Sequence, residues 1–438
     1  MEKAFYAPAR FKMAIPGEIS GISGGLIFPA GIPSPTLIRR DRSDLGRKYP
    51  HLKKRLLDPQ FYLASLPSAL CRKTCVNLAS YGWFATDGLK KYESAKQDQS
   101  EWKREAMERI HESWQGTIPT SVAHISGAVV KAVVFQKLIG CEGIILPSPL
   151  TTELSSDYSV ELTWLDLGLQ FAKTQAAGAD RIATIALSDT SLRGLDPWHN
   201  DLLTVIIDQI TARSPEGVYI VIEQSNEHGY YCAHPNTIGA LLRLVYQLKE
   251  AGIKRIIVGP IGLAGLLAIA VGANVWTAGW YRGERRVHLA DYQDQMGLAV
   301  PTYYAHKLAG EIHLEADLDR LVKKGFLNQL EDRTDATTGL LAALRSGRNV
   351  SSVPAWQHRK SNIAAATEHF FAVAARETAK LNGQTKVVCL DYAHAWLRGA
   401  ENLASALYSV GGFNPRTELN HQAAWLQAFE RFREQAAT

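Results

Sequence analysis

Cysteine is scarce. The chain has 438 residues and five cysteines, Cys71, Cys75, Cys141, Cys232 and Cys389, scattered and odd in number. That spacing excludes a disulfide framework, and the pair Cys71-x-x-x-Cys75 has no second pair at zinc-ligand spacing. Free thiols fit a reducing, cytoplasmic compartment. The opening MEKAFYAPARFKMAIPG lacks the apolar centre of a secretion signal. Low-complexity tracts are missing too. Charge of one sign is in only slight excess: 48 Lys and Arg face 43 Asp and Glu, a formal net of +5. Such a balance suits phosphate-bearing partners without requiring them.

One long stretch, residues 256–281, carries no charge at all. Its length would span a membrane. Gly259-Pro260 and Gly272 cut it into short pieces, however, and a buried strand, a short helix and a second strand are expected there. The prediction is a chain with no membrane partner.

What is present is ordinary globular material, 46% hydrophobic and 21% charged. Apolar strand-like runs recur, with helix-like runs between them. Eight candidate strands are residues 26–31, 74–81, 117–124, 143–147, 181–189, 218–224, 255–259 and 274–279. Helical patterns fall at 43–57, 89–114, 128–139, 160–177, 200–213, 237–251 and 263–271. Alternation of this kind predicts a parallel sheet, and eight strands predict an α/β fold, a (β/α)8 TIM-type barrel over 1–300. The second reading is an open doubly wound sheet. After residue 300 helices dominate (317–324, 339–346, 362–381, 395–410, 421–435), with a short candidate strand at 386–390 and a basic loop at 347–360. This predicts a mostly helical C-terminal extension, 301–438, packed on the barrel.

Barrel enzymes work at the C-terminal ends of their strands. That rule selects Asp189 and Glu223, at the ends of adjacent strands, as a candidate acid–base or nucleophilic pair, with Glu227 on the loop beyond. Glu227, His228 and His234 match no strong metal motif, so no metal is assigned. Asn77 and Tyr81 end the second candidate strand. The segment RIIVGPIGLAGLLAIAVGANVWTAGWYRGERR places Gly259, Gly262 and Gly279 at the last two strand ends, where backbone N–H groups can approach a phosphate. Tyr281, Arg282, Arg285 and Arg286 follow and suit an anion. The run IRRDRSDLGRKYPHLKKR, from Arg39 to Arg55, suits a nucleic-acid backbone or a solvated helix face with salt bridges to Asp41, Asp44 and Asp58.

Over residues 258–286 the chain resembles the end of the barrel in tRNA-guanine transglycosylases, with its Gly-rich turn, short helix, small-residue strand start and following arginines. The resemblance implies a shared barrel fold and group transfer at a glycosidic carbon. Thr277 stands where that family has its nucleophilic aspartate. The stretch NLASYGWF replaces its aspartate-bearing motif, and its zinc cluster is absent. Taken together, the residues predict a barrel enzyme, transferase or hydrolase, for a phosphorylated, nucleotide-like or nucleic-acid ligand. A flavin-dependent barrel oxidoreductase and a non-catalytic nucleic-acid-binding barrel are the alternatives, and the cofactor is left unknown.

Overall fold

The computed structural model describes residues 2–8, 24–32, 35, 38–39, 54–64, 66, 71–83, 121–152, 158–293, 300–357 and 363–436. Eight parallel strands form one sheet: β1 Ala4–Pro8, β2 Gly24–Pro29, β3 Arg55–Asp58, β4 Gly143–Ile145, β5 Asp180–Ser188, β6 Gly217–Glu223, β7 Arg255–Val258 and β8 Val275–Thr277. The order around the sheet is β3-β2-β1-β8-β7-β6-β5-β4. The two edges meet, where the Glu142 N–H donates to the Arg55 carbonyl at 3.0 Å. The α/β barrel expected from the strand rhythm is therefore present, and the open doubly wound sheet is excluded. β6 is buried along its whole length. That is why it reads as a continuous apolar run and not as an alternating one.

Two of the eight expected strands are something else. Residues 74–79 belong to helix α1, Arg72–Ala79, and Ser80 and Tyr81 to the turn that ends it. Cys75, Leu78 and Ala79 fall at helical spacing and are all buried, so the period of the packed face prevails over the strand propensity of Thr74, Cys75 and Val76. The candidate at 117–124 runs into helix α2, Val122–Leu138, capped by Ser121, whose Oγ accepts the His124 N–H; residues 117–120 lie outside the described residues. The places of these two are taken by β1, a short terminal run, and by β3, hidden behind Lys53-Lys54-Arg55 in what reads as a basic helix. Most of that stretch, and the helix expected at 89–114, lie outside the described residues.

The longer helices that follow are α3 Ser159–Gln175, α4 Asp201–Arg213, α5 Pro235–Glu250, α6 Ala264–Val271, α7 Thr338–Arg345, α8 Ile363–Lys380, α9 Lys386–Tyr408 and α10 His421–Ala436. Residues 386–390 are the start of α9 and not a strand. Thr385 caps them by accepting the Val388 N–H, and the exposed Val387 and Val388 flank a face that buries Cys389. An antiparallel hairpin, β9 Thr302–Ala305 and β10 Gly310–His313, had no counterpart in the sequence pattern.

The segment after residue 300 packs on the barrel. The Trp276 Nε1 of β8 donates to Thr378 of α8 at 2.7 Å, and Phe5 of β1 meets Phe371 of α8 at 5.5 Å. Trp425 of α10 donates to the Cys232 carbonyl at 2.6 Å. No helix among the described residues is long and apolar enough to cross a membrane. The uncharged stretch forms β7, α6 and β8.

Candidate functional site

Inside the barrel, side chains at alternate strand positions point inward. At the N-terminal end, the Tyr6 hydroxyl donates to Glu142 at 2.7 Å, and Arg255 pairs with both. Higher up, Tyr219 of β6 crosses the interior, and its hydroxyl donates to Asp58 Oδ2 at 2.7 Å. Room for that phenol exists because position 259 has no side chain: a Cβ on Gly259 would lie 2.9 Å from the Tyr219 Oη.

Asp58 is the last residue of β3, and it is 2% exposed. Its carboxyl also accepts the Tyr62 hydroxyl at 2.5 Å and the Gln60 N–H at 3.0 Å. Burial pushes its pKa up against those three hydrogen bonds, to about 6. Beside it lies a small hollow of about 30 Å³ at the C-terminal ends of β1, β2, β3, β7 and β8. Pro8, Ile27, Pro29, Ile32 and Pro260 make its apolar wall. Its polar groups come from Asp58, Gln60, Tyr219, Thr277, Glu284 and Tyr292. Thr277, at the end of β8, borders the hollow.

The carboxylates expected to do chemistry sit at one side of this mouth. Asp189 and Glu223 are adjacent, with the Asp189 N–H donating to the Glu223 carbonyl at 2.8 Å, but their carboxyl groups serve different partners. Asp189 is fully buried; it accepts Arg193 at 3.0 Å and Asn226 at 2.7 Å. Glu223 accepts Ser188 Oγ at 2.7 Å and the Ser225 N–H at 2.6 Å. Glu227 shares Arg193 with Asp189, at 2.6 Å. Among the described residues there is no cluster of three or more His, Cys, Asp or Glu that would hold a metal.

The glycines and arginines after β7 and β8 build a strap. Residues 281–287 cross the ends of β7 and β6: Ile261 bridges Arg286, and Glu223 bridges Val287. The Gly262 N–H donates to the Arg285 carbonyl at 2.5 Å, and the Gly259 N–H to the Ile220 carbonyl at 2.7 Å. Gly279 borders the hollow and packs directly on Glu284 of the strap, where a Cβ would come within 2.2 Å of that residue. Arg285 pairs with Glu311 of β10 at 2.5 Å, and Arg282 with the same carboxylate at 3.0 Å. Arg282 also approaches Glu418 at 3.5 Å. Arg286 pairs with Asp291 at 3.0 Å. Burial raises the Glu311 carboxyl, but Arg285 and Arg282 outweigh it and hold the pKa at about 2. Tyr281 is the exposed member of the segment, at 40%.

Two expected ligand contacts lose their strand-end position together with the second candidate strand. Asn77, on α1, donates to the Gly31 and Ile32 carbonyls at 3.2 and 2.6 Å, tying the turn after β2 to the helix. Tyr81 stacks on Trp83 at 4.4 Å in the core. The residue that reasoning from the sequence passed over as a site is Asp58. The signal was there in Leu56-Leu57-Asp58-Pro59, an apolar pair, a carboxylate and a strand-stopping proline.

No family model matches the chain, and no curated protein matches it. Among solved structures it is similar to the carboxyl transferase domain of Rhizobium etli pyruvate carboxylase, solved with 3-hydroxypyruvate, at 13% identity and a TM-score of 0.24. The match covers 93% of this chain and 62% of that one, so the chain spans less than two thirds of that structure's length.

Proposed function

We propose that the protein is a barrel enzyme carrying out group transfer or hydrolysis in the hollow at the strand ends, with Asp58 as its acid–base residue. One observation carries this reading: a carboxyl fully buried at a strand end, bordering a hollow, with its pKa raised to about 6. A group poised there gives up and takes up a proton near neutral pH, as general acid–base catalysis requires. Tyr62 and Tyr219 orient the carboxyl, and Thr277 and Glu284 supply further polar groups. Asp189, Glu223 and Glu227, tied to Arg193, Ser188 and Ser225, support the rim. The Gly259 and Gly262 N–H groups donate to carbonyls of the chain, so neither a phosphorylated ligand nor a flavin phosphate gains support from them.

The test is turnover of a panel of glycosides, nucleosides and phosphate esters by the wild type and by Asp58→Asn. The expected result is a loss of kcat of about 100-fold or more. The limb of the wild-type pH profile near pH 6 should vanish, with the circular dichroism spectrum unchanged. Full activity in Asp58→Asn rejects the assignment.

A further inference from the structure

The turn after β3 holds a backbone conformation that needs a cause. Gln60 has φ 54° and ψ 36°, the left-handed region, which a long L side chain enters at a cost. It is 3% exposed. The sequence Asp58-Pro59-Gln60 sets the geometry. Pro59 has no N–H, so Gln60 carries the first N–H after Asp58 that can turn back on its carboxyl. The left-handed turn aims it there, and it donates to Asp58 Oδ1 at 3.0 Å. The Tyr62 and Tyr219 hydroxyls both donate to the other oxygen, Oδ2. Donors on both oxygens fix the plane of the carboxyl group.

The side chain of Gln60 secures the turn. The Gly31 N–H, on the turn after β2, donates to Gln60 Oε1 at 2.6 Å. That approach needs a glycine: a Cβ at position 31 would lie 2.9 Å from the same Oε1 and 3.0 Å from Thr74. Asn77 of α1 donates to the Gly31 and Ile32 carbonyls. Helix α1, the turn after β2 and the end of β3 are thus one hydrogen-bonded unit, with Asp58 at its end.

We propose that Gln60 is a positioning residue: its amide side chain, tied to Gly31, holds the left-handed turn that keeps the backbone N–H on Asp58 Oδ1. The proposal rests on the acid–base reading of Asp58 and names what aims that carboxyl. The titratable groups near Asp58 are Tyr62, Tyr219, Tyr292 and Glu284. Burial holds the Tyr62 and Tyr219 phenols well above their ordinary range, so both remain donors at neutral pH.

The test follows the Asp58 carboxyl carbon by NMR through a pH titration of the full chain, with Asp58→Asn identifying the signal. The wild type is compared with Gln60→Ala, Gln60→Asn and Gly31→Ala. Losing an N–H that favours the carboxylate should raise the midpoint by about one pH unit in Gln60→Ala and in Gly31→Ala. Asn tolerates the left-handed region better than Ala, so Gln60→Asn should shift it less. On any substrate that the wild type turns over, kcat should fall about tenfold or more in Gln60→Ala, with its pH limb displaced the same way. A midpoint unmoved in every variant that folds, Gly31→Ala included, overturns the proposal. The two readings separate cleanly. If the midpoint moves as expected while Asp58→Asn keeps full turnover, the acid–base role falls and the positioning of the carboxyl stands. If Asp58→Asn abolishes turnover while the midpoint stays in place, the positioning role falls and the acid–base site stands.

Discussion

Asp58 holds its proton more tightly than an exposed aspartate because burial penalises the carboxylate more than Tyr62, Tyr219 and Gln60 reward it. The unfolded chain has no such penalty. Folding is therefore favoured by this group when it is protonated, below about pH 4, and the advantage is lost as pH rises to about 6. A shift from 3.8 to about 6 corresponds to about 3 kcal/mol. Asp58→Asn should accordingly raise the melting temperature at pH 7.5 while leaving it nearly unchanged at pH 4. A denaturation series at the two pH values checks this; equal effects at both would remove the buried charge as the cause. Gly259→Ala is the complementary probe. Its Cβ would sit 2.9 Å from the Tyr219 Oη and 3.1 Å from Val221, so the phenol must move off Asp58. The expected cost is about 1–3 kcal/mol in urea unfolding, together with a lowered kcat.

At the scale of elements, the strap between β8 and the hairpin is held by Glu311. This one carboxylate accepts Arg285, Arg282, Thr302 and Tyr231, and it lies in β10, while the arginines follow β8. Removing it leaves two buried guanidinium groups short of a counter-charge. Glu311→Ala should cost about 3–5 kcal/mol, read as a lowered urea midpoint, whereas Tyr281→Ala on the exposed side should change it little. Because Glu311 has a depressed pKa, its contribution is present above about pH 4.5 and is lost as pH falls towards 2. The strap also accounts for the arginine cluster in the sequence. Arg282, Arg285 and Arg286 occupy the position in which a barrel would hold an anion. Glu311 and Glu418 reach them only because the later hairpin and the α9–α10 connection fold back over the mouth, whereas Asp291 reaches Arg286 from the local turn five residues on.

For the whole molecule, the acid response follows from three histidines after residue 300. His306 stacks on Trp396 at 5.1 Å, His369 donates to the Tyr304 carbonyl at 2.8 Å, and His421 to the Ala309 carbonyl at 2.8 Å. Burial lowers each to about 4. In the unfolded chain they titrate near 6.5, so below that pH the unfolded state takes up protons that the fold refuses. Stability should fall from about pH 6.5 to about pH 4, by about 3 kcal/mol per histidine at most. Asp58 opposes this with a similar amount over part of the range. Three such groups together approach the total stability of a domain, so acid unfolding is expected near pH 4–5. The segment after 300 should loosen first, which tryptophan fluorescence against pH will detect through Trp396 and Trp425.

Legibility differed between fold and site. The barrel could be read from the chain because strands buried on both faces must be apolar throughout. The long runs of β5 and β6 and the uncharged β7–α6–β8 stretch therefore announce themselves. β1 and β3 escaped because they are short and, at Arg55, begin with a basic residue. The residues at strand ends, Asp189, Glu223, Gly259 and Gly279, were placed at the mouth by strand periodicity alone. What they do there was decided by near and distant partners together: Arg193 and Asn226 for Asp189, Ser225 and Ser188 for Glu223, Tyr219 for Gly259, Glu284 for Gly279. Asp58 becomes a buried acid only because Tyr219, 161 positions later, crosses the barrel to meet it. The arginines become structural only because Glu311 and Glu418 close over them. Periodicity is a local property that sequence carries directly; burial and charge pairing depend on which distant side chains share a space, and that is settled only when the barrel closes.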